Sequence, residues 1–211
     1  MSQQPPVIVT AGSAEPDAPL VVCLHGIGQD EGALKQVADA GPAELGYVFV
    51  RGPVAINGGY NWFDLNPDAS MRRDTLLEAR AWFRSWLDAF APAPRPVVMV
   101  GFSAGAAFAA GVVGDEPSRF AGAALLSGSL PWFEGPEVAP GRWDGVPVFL
   151  ARSERDRIIP VELTEQTRRY LVAESGAVVT ERHDPDGHEV TMQTATELGA
   201  WLARTTSVLR G

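Results

Sequence analysis

Residues 97–114 read VVMVGFSAGAAFAAGVVG, with no charged residue among them. By length alone, eighteen apolar and small residues in a row make a candidate membrane span. The composition points elsewhere. Pro96 precedes the run, and five of its residues are Gly or Ser. VVMV is short and β-branched, as a fully buried parallel strand is. AAFAAGVV is a helix pattern, and Gly101 and Gly105 fill the joint. The stretch therefore reads as strand, sharp turn and helix, with Ser103 on the turn.

The flanking sequence repeats this alternation. Candidate strands are VIVT (7–10), LVVCLH (20–25), YVFV (47–50), VVMV (97–100), GAALLS (122–127), VPVFLA (146–151) and AVVTER (177–182). Helical patterns lie between and after them. From Asp74 to Phe90, Leu76, Leu77, Phe83, Trp86, Leu87 and Phe90 form one apolar face. Val161–Glu174 and Val190–Leu209 are further helices, the second carrying Val190, Leu198, Trp201 and Leu202. Strands alternating with helices imply an α/β fold, a mainly parallel central sheet with helices on both faces. The 211 residues suit one domain spanning 1–211, with no insertion long enough for a separate cap domain.

Composition excludes several function classes. The formal net charge is −9 and no Lys/Arg cluster occurs, which argues against nucleic acid and against docking on an anionic membrane surface. Cys23 is the single cysteine, so no disulfide within the chain and no thiolate metal cluster can form. It reads as a buried core residue. The three histidines are dispersed and fit no standard metal-ligand spacing. The opening MSQQPPVIVT lacks the basic and long apolar regions of a signal peptide, so a cytoplasmic protein without stable membrane insertion is expected. Nothing in the sequence fixes the oligomeric state.

In parallel sheets, ligands sit beyond the carboxyl ends of the strands. Gly101-Phe102-Ser103-Ala104-Gly105 lies at such an end. Gly-x-Ser-x-Gly is short, and alone it equally describes a glycine-rich turn with a capping serine. Its place between strand and helix is what a nucleophile elbow needs. The glycines let backbone segments crowd together while the serine takes a strained conformation.

A serine nucleophile needs a base, and the base an orienting carboxylate. His188 follows the last strand, in DPDGHEV, where the order serine, acid, histidine requires it; His183 is the alternative. The acid belongs after VPVFLA, where Asp156 can reach across to the histidine loop and Glu154 is the alternative. LHGIG (24–28) supplies a glycine-freed turn, and the N–H groups of Ile27 and Ala104 are candidate oxyanion donors. His25 reads as a structural residue that holds this loop. Trp62 and Phe63 after YVFV, and Leu130 and Trp132 after GAALLS, are candidates to line an acyl pocket or to pack beneath the loops. NGGY (57–60) is a turn. Residues 131–145 form a loop, and whether it is a mobile lid is left open.

With these pieces placed, the chain resembles the α/β-hydrolase superfamily, and within it the phospholipase/carboxylesterase group of bacterial carboxylesterases and acyl-protein thioesterases. The matching segments are LHGIGQDEG, RGPVAINGGYNWFDL, GFSAGA, LLSGSLP, DRIIP and GHEV, in order between 24 and 190. The resemblance implies Ser103 as nucleophile, Asp156 and His188 as its partners, and hydrolysis of small-molecule carboxylic esters or thioesters without a cofactor or metal. The chain departs from the group at Ala104, where Gln is frequent, and in ARSERD, where His-Gly commonly opens the acid motif. It departs again at Gln29, which intervenes before Asp30. Two other readings stand beside this one. The first is a different hydrolase on the same fold, a peptidase or a dienelactone-type enzyme, although the latter is expected to use Cys. The second is a non-catalytic binding module.

Overall fold

A computed structural model describes residues 4–133 and 138–207. Nine strands are present among them: β1 (Ile8–Gly12), β2 (Leu20–Leu24), β3 (Gly46–Val50), β4 (Val54–Ile56), β5 (Gly59–Asn61), β6 (Val97–Phe102), β7 (Gly122–Leu126), β8 (Pro147–Ser153) and β9 (Val178–Asp184). Five α-helices accompany them: α1 (Lys35–Ala40), α2 (Arg73–Phe90), α3 (Ala104–Asp115), α4 (Val161–Arg169) and α5 (Met192–Ser207). Seven strands form one sheet in the order β1-β3-β2-β6-β7-β8-β9. β1 pairs antiparallel to β3, and the remaining pairs are parallel. β4 and β5 form a separate hairpin, with Asn57 and Gly58 at its tip.

The pleat sorts alternate side chains onto two apolar faces. Val22, Leu24, Val48 and Val50 point to the face covered by Leu76 and Phe83 of α2 and by Phe108 and Val112 of α3. Val21, Cys23, Tyr47 and Phe49 point to the other face, where Val37 of α1 meets Leu198, Trp201 and Leu202 of α5. The apolar run that opened the analysis is thereby explained. β6 lies at the centre of the sheet, and α3 is buried along nearly its whole circumference, from Gly105 to Gly114. A helix apolar all round belongs in an interior. No helix among the described residues is long and apolar enough to cross a membrane.

All seven expected strands occur, with ends shifted by one or two residues. Three differences have physical causes. Leu77 of α2 is exposed, not part of its buried face, which also holds Arg80 paired to Asp115 at the end of α3. The helix expected over Val161–Glu174 is α4 followed by a π-helical turn at Tyr170–Glu174. The last helix starts at Met192, and Val190 packs against the core from the preceding loop. Its expected residues 208 and 209 lie outside the described ones. Helix α1 and the β4–β5 hairpin were not expected. Each is short, and α1 buries only Val37, so neither shows a periodic apolar face.

Candidate active site

Parallel strands aim their carboxyl ends one way, and the loops after β2, β6, β8 and β9 meet at that edge. Ser103 stands between β6 and α3 with φ 55° and ψ −118°, a conformation L-residues rarely hold. Its N–H donates to the Leu126 carbonyl at 3.0 Å, and its carbonyl accepts from Ala106 at 3.0 Å, so the turn is tied on both sides. Only glycine fits at the two flanking positions. A Cβ on Gly101 would lie 2.2 Å from the Gly105 carbonyl oxygen, and one on Gly105 would lie 2.2 Å from that of Leu24.

The turn aims the Ser103 hydroxyl at His188. His188 Nε2 lies 2.9 Å from Ser103 Oγ, and Nδ1 lies 2.7 Å from Asp156 Oδ2. An ionised carboxylate only accepts, so Nδ1 carries the proton and Nε2 is left to accept from the serine. Asp156 is itself oriented: its Oδ1 accepts the Ile158 and Ile159 N–H groups at 2.8 and 3.1 Å. Burial acts to raise its pKa, but the hydrogen bonds from His188 and the two amides outweigh it and hold the carboxyl below its ordinary value. The His188 ring packs against Phe102, with centroids 4.9 Å apart. The alternatives lie elsewhere. His183 is half-exposed beside Arg152 and Glu181, and Glu154 is exposed.

The loop after β2 is folded so that its amides are used up around one exception. Gly26 N–H donates to the Gln29 side chain at 2.9 Å, Gln29 N–H to the Gly26 carbonyl at 3.3 Å, and Gly28 N–H to the Tyr60 carbonyl at 3.0 Å. Neither the Ile27 nor the Ala104 N–H donates a hydrogen bond among the described residues. His25 is buried; its Nδ1 donates to the Gly26 carbonyl at 2.7 Å and its Nε2 accepts from Gly52 N–H at 3.0 Å. Burial is the main cause of its lowered pKa, so it is neutral and holds the loop.

Three expected pocket residues belong to the core instead. Trp62, Phe63 and Leu130 are 0, 2 and 1% exposed. Trp62 packs on Phe83 and Phe108 and donates its indole N–H to the His25 carbonyl at 2.8 Å. They are among the largest apolar groups between α2, α3 and the sheet, and burying them there gains more than lining a wet cleft. Trp132 is part-buried, edge-on to Tyr170. Of the loop 131–145, residues 134–137 lie outside the described ones. Among the described residues, no three His, Cys, Asp or Glu side chains converge to hold a metal ion.

Residues with no motif signal also shape the site. Gln29 is one. Tyr60 is another, because its N–H bonds to the Gln29 carbonyl at 2.9 Å and docks the β4–β5 hairpin on the loop. Arg51 is a third: it pairs with Glu31 at 2.5 Å and lies over the Tyr60 ring.

A mainly parallel sheet with a serine on a strained strand-to-helix turn is the α/β-hydrolase fold. The phospholipase/carboxylesterase family model matches residues 5–204, and the chain belongs to that family of esterase- and thioesterase-type hydrolases. It is 26% identical to acyl-protein thioesterase 1 of Debaryomyces hansenii over 191 residues, 79% of this chain and 82% of that one. It is 25% identical to acyl-protein thioesterase 1 of Kluyveromyces lactis, over 76% of this chain and 79% of that one. Among solved structures, a Bacillus cereus carboxylesterase superposes with a TM-score of 0.83 at 24% identity, covering 95% of this chain and 94% of the other.

Proposed function

We propose that the protein is a serine hydrolase that cleaves small-molecule carboxylic esters through an acyl-enzyme on Ser103. The observation that carries this reading is the continuous chain Ser103 Oγ, His188 Nε2, His188 Nδ1, Asp156 Oδ2, with both contacts within 2.9 Å. His188 removes the hydroxyl proton as Ser103 Oγ attacks the ester carbonyl carbon. The N–H groups of Ile27 and Ala104 hold the tetrahedral oxyanion. Asp156 keeps the imidazole in the tautomer that accepts at Nε2, and stabilises the cation that forms. The leaving alcohol departs with the proton from His188, and a water molecule repeats the steps on the acyl-enzyme.

Two apolar side chains support an acyl rather than a polar substrate. Ile27 is 42% exposed on the donor loop, and Ile158 is 64% exposed on the loop of Asp156. Both sit on segments that hold reacting groups. A thioester is the second reading, favoured by the acyl-protein thioesterase relatives.

The test is intact-mass labelling with a fluorophosphonate, beside turnover of p-nitrophenyl esters and of acyl thioesters. Wild type takes one adduct on Ser103; Ser103→Ala and His188→Ala take none, and turnover falls on the order of a millionfold. Wild-type rates in Ser103→Ala would refute the nucleophile. No adduct on folded wild type would favour a binding module.

A further inference from the structure

We infer that Asp184, acting through Thr191 and Thr194, is a positioning residue that fixes the loop carrying His188 against the loop carrying Asp156. The inference rests on the reading of His188 as the base. Asp184 is the last residue of β9 and is 3% exposed. A carboxylate so placed is costly unless its oxygens are fully used, and they are. Oδ2 accepts the Thr191 hydroxyl at 2.8 Å and the Thr194 hydroxyl as well. Oδ1 accepts the Asp186 N–H at 3.2 Å. These bonds from Thr191, Thr194 and Asp186 outweigh the burial that would raise the Asp184 pKa, so the group stays ionised.

The two threonines begin α5. Thr191 Oγ1 accepts the Thr194 N–H at 3.1 Å, which makes Thr191 the helix N-cap. One carboxylate therefore grips both ends of the segment 184–191, and His188 lies inside it. The same segment is laced to the acid loop through its backbone. The Asp184 carbonyl accepts Glu154 N–H at 2.8 Å, and the Asp186 carbonyl accepts Arg155 N–H at 3.2 Å. Inside the segment, Glu189 N–H bonds to the Gly187 carbonyl, a local turn that anchors His188 to nothing beyond it. The distance from His188 to Asp156 and Ser103 is thus set at the ends of the segment, and Asp184 holds those ends.

The experiment compares Thr191→Val, Thr191→Ser and Asp184→Asn with wild type and His188→Ala. It follows kcat and KM on a soluble p-nitrophenyl ester, the thermal midpoint, and the low-field proton resonance of His188 Nδ1–H. Thr191→Val keeps the shape and removes the hydroxyl. Its kcat is expected to fall about tenfold to a hundredfold, the loss a misplacement of about 1 Å produces, with KM unchanged. The low-field resonance shifts or broadens, and Thr191→Ser restores both. Asp184→Asn should behave as Thr191→Val does. The positioning role is overturned if Thr191→Val and folded Asp184→Asn keep wild-type kcat and resonance while His188→Ala is inactive. It is overturned equally if they lower only the thermal midpoint. Full activity in His188→Ala would instead overturn the reading of His188 as base.

Discussion

Ser103 holds a backbone conformation that costs of order 1–3 kcal/mol in isolation. It is maintained by hydrogen bonds at both its N–H and its carbonyl. At His25 the same economy of contacts has a measurable pH signature. The neutral ring donates through Nδ1 and accepts through Nε2, so a second proton would break the bond from Gly52. The folded state therefore binds that proton less readily than the unfolded chain, whose histidine titrates near 6.5. Stability from His25 is present above that pH and is lost as pH falls through the lowered folded value. The stability difference between wild type and His25→Gln should thus be larger at pH 7.5 than at pH 5, measured by urea unfolding. Asp156 is also depressed, and the stability it contributes is complete above its ordinary 3.8 and lost as pH falls below it.

The elbow between β6 and α3 is a packing problem before it is a catalytic one. Gly105→Ala would drive a Cβ to 2.2 Å from the Leu24 carbonyl and 2.6 Å from that of His25, so the loop after β2 must move. Overpacking of this kind costs about 2 kcal/mol or more, read as a fall in thermal midpoint. Gly187→Ala is the control, because its Cβ meets nothing within 4 Å. The β4–β5 hairpin serves the site from a distance by docking on the loop that presents Ile27. Gln29 closes that loop by accepting the Gly26 N–H. Gln29→Ala should lower kcat about tenfold with KM held, less than the hundredfold or more lost with a whole oxyanion donor.

Across the whole molecule, the central position of β6 places Ser103 where three flanking loops can reach it. The cost is that the core and the site share walls. Trp62 donates to the His25 carbonyl on one side and packs on Phe108 of α3 on the other. Trp62→Ala should cost about 3–5 kcal/mol, and the milder Trp62→Phe should lower the thermal midpoint while leaving acyl-chain preference unchanged. A shift in preference without loss of stability would return Trp62 to the acyl pocket.

The sequence by itself determined the alternation of strands and helices, because short β-branched runs and 3.6-residue periodicity are local signals. It also singled out Ser103, Asp156 and His188, since each lies just past a strand end and chain order is readable from a string. Tertiary structure alone decided what faces what. The roles of Gln29, Tyr60, Arg51 and Asp184 rest on partners distant in sequence or on side-chain direction, for which no spacing rule exists. The same limit separated Trp62 and Phe63 from the cleft. An aromatic residue after a strand looks alike in the sequence whether it is buried or exposed, and only the packing of α2 and α3 over the sheet determines which.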